Sequence, residues 1–259
     1  MKNITIIGGG NLGTAIASGL LSSGFVKPTN LVITKRNTET LAGFAAQGVQ
    51  VMSDNNKAVE NASIIILAVK PFQVKDILES TGFTAKQIVI SAVTGVWLKD
   101  LRQWINEKTS LFRAMPNTAI GIRQSITCIS HDTSDPKLVE TVSSLFLKLG
   151  RVIIIEEKLM DAATVLGACG TAFAMRYMRA SIQGGIQIGF SATQASYIVS
   201  QTVLGAAELL LTTGTHPEQE IDKVTTPRGC TIAGLNELEH QGFSSALIKG
   251  LVASYDKIV

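Results

Sequence analysis

Two short segments of this 259-residue chain hold residues whose types and spacing could do chemistry. The first is Gly8-Gly9-Gly10-Asn11-Leu12-Gly13, directly after the apolar run Ile4–Ile7. A Gly-x-Gly-x-x-Gly between a strand and a helix suits a dinucleotide. Gly8 allows the tight turn, Gly10 lets the backbone approach a pyrophosphate with no Cβ in the way, and Gly13 lets the helix pack on the strand. A helix starting at Asn11 turns unpaired amides, those of Asn11, Leu12 and Gly13, toward phosphate. At the end of the second strand stands Thr34-Lys35-Arg36-Asn37, with two cations and no acid. An acid there would take the free ribose of NAD, whereas Lys35 and Arg36 suit the 2′-phosphate of NADP, so NADPH is favoured over NADH. The second segment, Thr226-Pro227-Arg228-Gly229-Cys230-Thr231, reads as a turn opening a helix. Its amides at Gly229, Cys230 and Thr231 and its hydroxyls at Thr226 and Thr231 are donors for an anion.

These segments need a scaffold, and the rest of the chain predicts one. Strands are expected near Ile4–Ile7, Leu31–Thr34, Ile64–Val69, Ile88–Ser91 and Leu111–Ala114, alternating with helical stretches such as Thr38–Gln47 and Gln73–Ser80. That rhythm predicts parallel βαβ units, and the near-continuous apolar runs fit a sheet covered on both faces. Runs at Ile126–Ile129 and Val152–Ile155, flanking a helical Pro136–Leu149, extend the sheet. After Glu157 the strand signal stops and long helical stretches follow: Leu159–Ile188, Ala192–Thr213, Glu218–Val224, Ile232–His240 and Ser244–Ile258. The expected class is therefore α/β: an N-terminal Rossmann-like parallel-sheet domain over 1–156, then an all-α domain over 157–259. The segment Ser196–Leu211 is apolar around most of its circumference, which a domain of about 100 residues has little interior to hide. A homodimer or larger assembly is expected.

Composition excludes other classes. The formal net charge of +3 is spread without a basic run, so neither nucleic acid nor an anionic membrane surface is an expected partner. Cys128, Cys169 and Cys230 are odd in number and far apart, which excludes a disulfide framework and a zinc site and fits a reducing, cytoplasmic setting. The N-terminus, Met1-Lys2-Asn3-Ile4, shows no signal-peptide pattern. The apolar stretch Leu166–Met175 is shorter than the roughly 20 residues a bilayer requires. His131, His216 and His240 are isolated, and no metal or covalent chemistry is expected.

Taken in order, five segments give the chain a resemblance to pyrroline-5-carboxylate reductases, which make L-proline with NAD(P)H. They are Gly8–Gly13, Leu67-Ala68-Val69-Lys70-Pro71, Ser91-Ala92-Val93-Thr94-Gly95-Val96, Arg113-Ala114-Met115-Pro116-Asn117-Thr118 and Val224–Leu235. The resemblance implies that Ala68, Val69, Lys70, Pro71 and Ala92 line the cofactor groove, with Asn56, just before the helix preceding Ile64, on the adenosine side. It places Asn117 near the nicotinamide or substrate. The Thr226–Thr231 turn would hold the carboxylate of a five-membered imino acid, with Thr231 hydrogen-bonding the ring nitrogen or carboxylate, and would reach the neighbouring subunit's cofactor domain. Two departures stand out: Arg228 replaces a usual glycine, and the family's Gly-Ser-Gly-Pro-Ala run appears as Gly167-Ala168-Cys169-Gly170-Thr171-Ala172. A related two-domain imine or β-hydroxyacid reductase is the enzymatic alternative. Such enzymes usually carry a lysine in the long first helix, and Leu159–Ile188 offers Arg176 and Arg179 but no lysine. A non-catalytic nucleotide-binding homologue is the alternative of another class.

Overall fold

The computed structural model describes residues 3–105 and 108–258; Met1 and Lys2, at the start of the N-terminal reading, lie outside them. The chain divides into two compact units, one holding residues up to Cys169 and the last few, the other Gly170–Asp256. In the first unit the elements run β1 (Ile4–Ile7), α1 (Asn11–Ser22), β2 (Leu31–Thr34), α2 (Ala42–Ala45), β3 (Gln50–Met52), α3 (Asn55–Val59), β4 (Ile64–Leu67) and α4 (Val74–Ser80). They continue with β5 (Ile88–Ser91), α5 (Leu98–Trp104), β6 (Ser110–Met115), β7 (Ser125–His131), α6 (Pro136–Leu147), β8 (Gly150–Ile154) and α7 (Met160–Ala163).

One eight-stranded sheet orders them β3-β2-β1-β4-β5-β6-β7-β8. Every neighbouring pair is parallel except β6 and β7, whose register pairs Phe112 with His131 and Met115 with Cys128. Nine residues join those strands, too few for the crossover that a parallel pair requires, so the chain doubles back. Alternating apolar residues feed two cores, one on each face: Ile6, Ile33, Ile66 and Ile90 with α1 and α6, and Ile65, Leu67, Val89 and Leu111 with α4 and α5. Burial on both faces explains why β4 reads Ile-Ile-Ile-Leu. The expected helix Thr38–Gln47 is instead a 3-10 turn at Thr38–Leu41 and a single turn of α2, because Asn37 caps the former through Glu39 N. The helix expected before Ile64 is α3, whereas strand β3 and helix α5 were not anticipated; each is too short to show a period.

A buried charge ties the end of the sheet to the turn and helix that come after it. Arg113, inside β6, is 0% exposed. Its Nη1 donates to Glu157 Oε1 at 3.1 Å and its Nη2 lies 3.9 Å from Asp161 Oδ1. The guanidinium also sits 5.7 Å from the Trp97 ring, and Glu157 Oε1 accepts a second bond from Leu98 N at 2.6 Å. Beyond α7 the expected continuous helix widens into a π-helical turn, Thr164–Cys169.

The second unit holds α8 (Gly170–Gln187), α9 (Ala192–Thr213), α10 (Pro217–Lys223), α11 (Cys230–His240) and α12 (Phe243–Asp256). Ser191 caps α9 and His216 caps α10. Among the described residues of this unit, Ala195 alone is buried. Before α11 the chain makes a turn closed by Gly229 N donating to Thr226 O at 2.9 Å. Pro227 and Arg228 are its central residues, and Arg228 has φ +62°. A proline followed by a positive φ is the pattern of a type II turn, whose third position favours glycine. This is the physical reason that a glycine belongs where Arg228 stands.

Two measurements test these features. Arg113→Met leaves Glu157 and the buried Asp161 without their counter-charge and should lower unfolding stability by about 3 kcal/mol in urea titrations at fixed protein concentration; a loss below roughly 1 kcal/mol would count against the ion cluster as a structural tie. Arg228→Gly removes the Cβ from a left-handed position and should raise stability by up to about 1 kcal/mol, because relief of strain outweighs the entropy of the freer unfolded chain. A lower midpoint would show that the turn is not strained.

Candidate active site

The strand order reverses at β1, which has β2 on one side and β4 on the other. The carboxyl ends of these strands open the crevice in which doubly wound sheets bind ligands. Gly8 has φ +110°, and a Cβ on it would lie 2.4 Å from Ala68 O at the end of β4. A Cβ on Gly13 would lie 1.9 Å from Gly8 O, so the first turn of α1 folds directly onto the glycine turn. By contrast, a Cβ on Gly10 would meet nothing within 4 Å. Gly10 precedes α1 and gives it no side-chain cap, which leaves the first-turn amides of Asn11, Leu12 and Gly13 to an outside acceptor.

Backbone hydrogen bonds bring the second strand to the same place. Thr34 O accepts from both Gly8 N (3.1 Å) and Gly9 N (2.8 Å), which sets Lys35 and Arg36 beside the glycine turn. Arg36 is exposed and Lys35 half-buried, and neither has an ion-pair partner among the described residues. On the other flank Ala68 N donates to Ile7 O and Ala92 N to Leu67 O, so Ala68, Val69 and Ala92 step outward from β1 along the same end of the sheet. Lys70 is extended (φ −75°, ψ 147°) before Pro71, which opens a 3-10 turn, the exit that a residue before proline prefers. Sequence reasoning passed over Phe72, on that same turn, which is 81% exposed. A large exposed aromatic beside such a crevice was readable only once the strand end was placed.

Asn56 differs from its expected position. It is the second residue of α3 rather than the residue before it, and Asp54 is the cap. Its amide bridges to the end of α4: Nδ2 donates to Ser80 O and Oδ1 accepts from Gly82 N, both at 2.9 Å. Asn117 is similarly committed. Its Oδ1 accepts from Ala119 N at 3.0 Å, and its Nδ2 donates to Gly167 O of the π turn at 3.0 Å. One amide hydrogen of Asn117 is left for a ligand.

In the second unit, the Gly229 amide is taken by Thr226 O and is not available to an anion, contrary to expectation. The amides of Cys230 and Thr231 are the first two of α11, with Gly229 supplying no side-chain cap. The hydroxyls of Thr226 and Thr231 have no hydrogen-bond partner among the described residues. The approach to the turn is braced: Glu220 accepts from Lys223 at 2.7 Å and Thr215 at 2.6 Å, and these two bonds, that of Lys223 foremost, hold its carboxyl below the usual range. Cys128, Cys169 and Cys230 are free thiols, and burial pushes the Cys128 thiol up. No cluster of His, Cys, Asp and Glu able to hold a metal occurs among the described residues. A groove of about 750 Å³ between α5 and the ends of β7 and β8, lined by Arg102, His131, Asp132 and Glu156, contains none of the residues assigned to cofactor or substrate.

The two halves of the chain match known families separately. Residues 157–259 match the family profile described as pyrroline-5-carboxylate reductase dimerisation, and residues 3–95 that described as NADP oxidoreductase, coenzyme F420-dependent. The chain is 45% identical to pyrroline-5-carboxylate reductase 1 of Dictyostelium discoideum over 99% of its own length, and it spans about half, 49%, of that relative. To pyrroline-5-carboxylate reductase 2 of the same organism it is 42% identical, over 99% of this chain and 92% of the relative. The crystal structure of Plasmodium falciparum pyrroline carboxylate reductase with NADP bound superposes with a TM-score of 0.91, covering 99% of this chain and 96% of that one, at 24% identity, a likeness of fold. Family profiles on both halves and a relative matched over nearly its whole length agree with the glycine turn, the strand ends and the C-terminal turn: the chain belongs to the pyrroline-5-carboxylate reductase family.

Proposed function

We infer that this chain is an NAD(P)H-dependent oxidoreductase acting on a C=N bond, reducing 1-pyrroline-5-carboxylate to L-proline, the last step of proline biosynthesis. The observation that carries the cofactor half is the pairing of an open, uncapped helix start at Gly10 with Lys35 and Arg36 held beside it by Thr34 O. The residues fit NADP. Gly8, Gly10, Asn11, Leu12 and Gly13 cradle the pyrophosphate, Lys35 and Arg36 hold the 2′-phosphate, and Ala68, Val69, Lys70, Pro71 and Ala92 line the groove. NADPH supplies the hydride when bound. Asn56 supports the adenosine side through the loop it holds at Ser80 and Gly82.

A protonated cyclic imine is already electrophilic, so the protein's task is positioning rather than acid–base chemistry. Thr226, the amides of Cys230 and Thr231 and the Thr231 hydroxyl bind the substrate carboxylate, and Thr231 also serves the ring nitrogen. Asn117 orients the reacting end with its remaining amide hydrogen, and Gly229 shapes the turn. Residues 1–156 form the dinucleotide-binding domain and 157–259 the helical dimerisation and substrate domain of a homodimer or larger assembly, which works on a small imino acid in the cytoplasm with neither nucleic acid nor membrane as partner. By length and composition α9 could cross a bilayer, but it lies within the segment matching the dimerisation profile, and a subunit contact accounts for its apolar surface.

The direct test is oxidation of NADPH and NADH with 1-pyrroline-5-carboxylate; no turnover with either would sink the assignment. Replacing Lys35 and Arg36 together by Ala should raise KM for NADPH by roughly 10- to 100-fold and leave that for NADH nearly unchanged, since two charge-assisted contacts to the 2′-phosphate are lost. Thr231→Ala should lower kcat/KM for the imine by about tenfold or more while the Kd for NADPH stays at the wild-type value. Equal effects on both ligands would remove Thr231 from the substrate site.

A further inference from the structure

A strained backbone residue that nothing holds in place is a pointer to function. Arg228 is such a residue. It stands at the third position of the Thr226–Gly229 turn with φ +62°, where glycine would sit without strain. Its side chain is exposed, and its guanidinium has no ion-pair or hydrogen-bond partner among the described residues. It is also the only charged residue from 224 to 236; Lys223 and Glu237 are the next on either side. Lys223 is already taken by Glu220 at 2.7 Å, so Arg228 is the one charge this turn can offer an anion.

The rest of the turn gathers neutral donors around the same point. A Cβ on Gly229 would lie 2.6 Å from Thr226 Oγ1, so the Thr226 hydroxyl sits over the start of α11. The amides of Cys230 and Thr231 open that helix without a side-chain cap. Cys230 is two residues past Arg228, at most about 7 Å away between Cα atoms, a span that an arginine side chain bridges. A carboxylate presents two coplanar oxygens that match the planar guanidinium fork. The phosphates of the cofactor have their own donors in Lys35, Arg36 and the uncapped start of α1.

We propose that Arg228 is a specificity residue: its guanidinium pairs with the carboxylate of the cyclic imino acid, so that the enzyme selects imines carrying a carboxylate beside the ring nitrogen over simple cyclic imines. The proposal rests on the reading of the Thr226–Thr231 turn as the substrate site and deepens it, because donors that carry a charge bind a carboxylate more strongly than neutral ones. The strain at Arg228 is then the counterpart of a gain in binding. Arg228→Gly, the change that relieves the turn, should weaken the enzyme.

The test is steady-state kinetics at saturating NADPH on the wild-type chain and on Arg228→Gly, Arg228→Ala and Arg228→Lys. The substrates are 1-pyrroline-5-carboxylate and 1-pyrroline, the same ring without the carboxylate. Arg228→Gly and Arg228→Ala should both raise KM for the imino acid about tenfold or more, whereas kcat/KM for 1-pyrroline should move by less than about threefold. Arg228→Lys should recover part of the loss, since it keeps the charge but not the fork. The Gly variant relieves the turn and the Ala variant keeps its strain, so an effect of charge is common to both and an effect of backbone geometry is not. An Arg228→Gly chain with the wild-type KM, a loss in the Ala variant alone, equal losses with both substrates, or a loss confined to the Kd for NADPH overturns the proposal. Should 1-pyrroline not be turned over, salt decides: NaCl should raise KM for the imino acid more steeply in the wild type than in the Gly variant, and equal slopes overturn the proposal. A wild-type chain that reduces neither imine with either cofactor overturns the reductase reading itself, so the two failures are told apart.

Discussion

Arg113 holds a permanent charge at a fully buried point of the sheet. An isolated guanidinium could not remain there, because removing a charge from water costs several kcal/mol unless partners compensate it. The compensation comes from Glu157 and Asp161, more than forty residues later, and from the face of Trp97. Glu157 in turn caps the start of α5 through Leu98 N. One charge therefore dictates where the chain must go after β8: the 3-10 turn Glu157–Leu159 and α7 have to lie against β6. The π turn then comes within reach of Asn117, at the carboxyl end of the same strand.

The crevice at the carboxyl end of β1 depends on a second kind of constraint, close backbone approach. Gly8 and Gly13 leave no room for a Cβ, since carbonyl oxygens of Ala68 and of Gly8 itself occupy that space. Thr34 O, accepting from two successive amides, locks the glycine turn to β2. The glycine turn, the end of β2 that carries Lys35 and Arg36, and the strand ends at Ala68 and Ala92 are thus one hydrogen-bonded corner. The helix start that faces the crevice is uncapped because Gly10 has no side chain, and a polar cap there would compete with phosphate for the same amides.

The helical unit obeys a different rule. It satisfies its backbone within its helices and caps α9 and α10 with side chains, yet it buries almost no side chains. Helices of this kind gain most of their stability from tertiary packing, so their apolar surface needs a partner. Family membership and the dimerisation profile identify that partner as another copy.

Local sequence was informative where a single segment determines its own structure. The glycine turn, the seven longer strands, helices α9 and α11 and the Thr226–Thr231 turn were all legible, because hydrophobic runs, breakers and turn residues act over a few positions. The two cations Lys35 and Arg36 at the end of β2 were also legible, since the charge at a strand end needs no tertiary context to be read. What the sequence could not show is set by contacts between distant positions. These are the reversal between β6 and β7, the short edge strand β3, the ion cluster of Arg113 with Glu157 and Asp161, and the commitment of the side chains of Asn56 and Asn117 to backbone groups 24 and 50 residues away. Arg228 lies between the two cases: its departure from glycine was visible in the sequence, but only the fold shows a φ of +62° and hence a reason. The sequence by itself determined the chemistry that each segment offers, because side-chain type and local spacing are encoded there. Tertiary structure alone decided which of those groups remain free to meet a ligand, because a donor already bonded across the fold cannot serve a second acceptor.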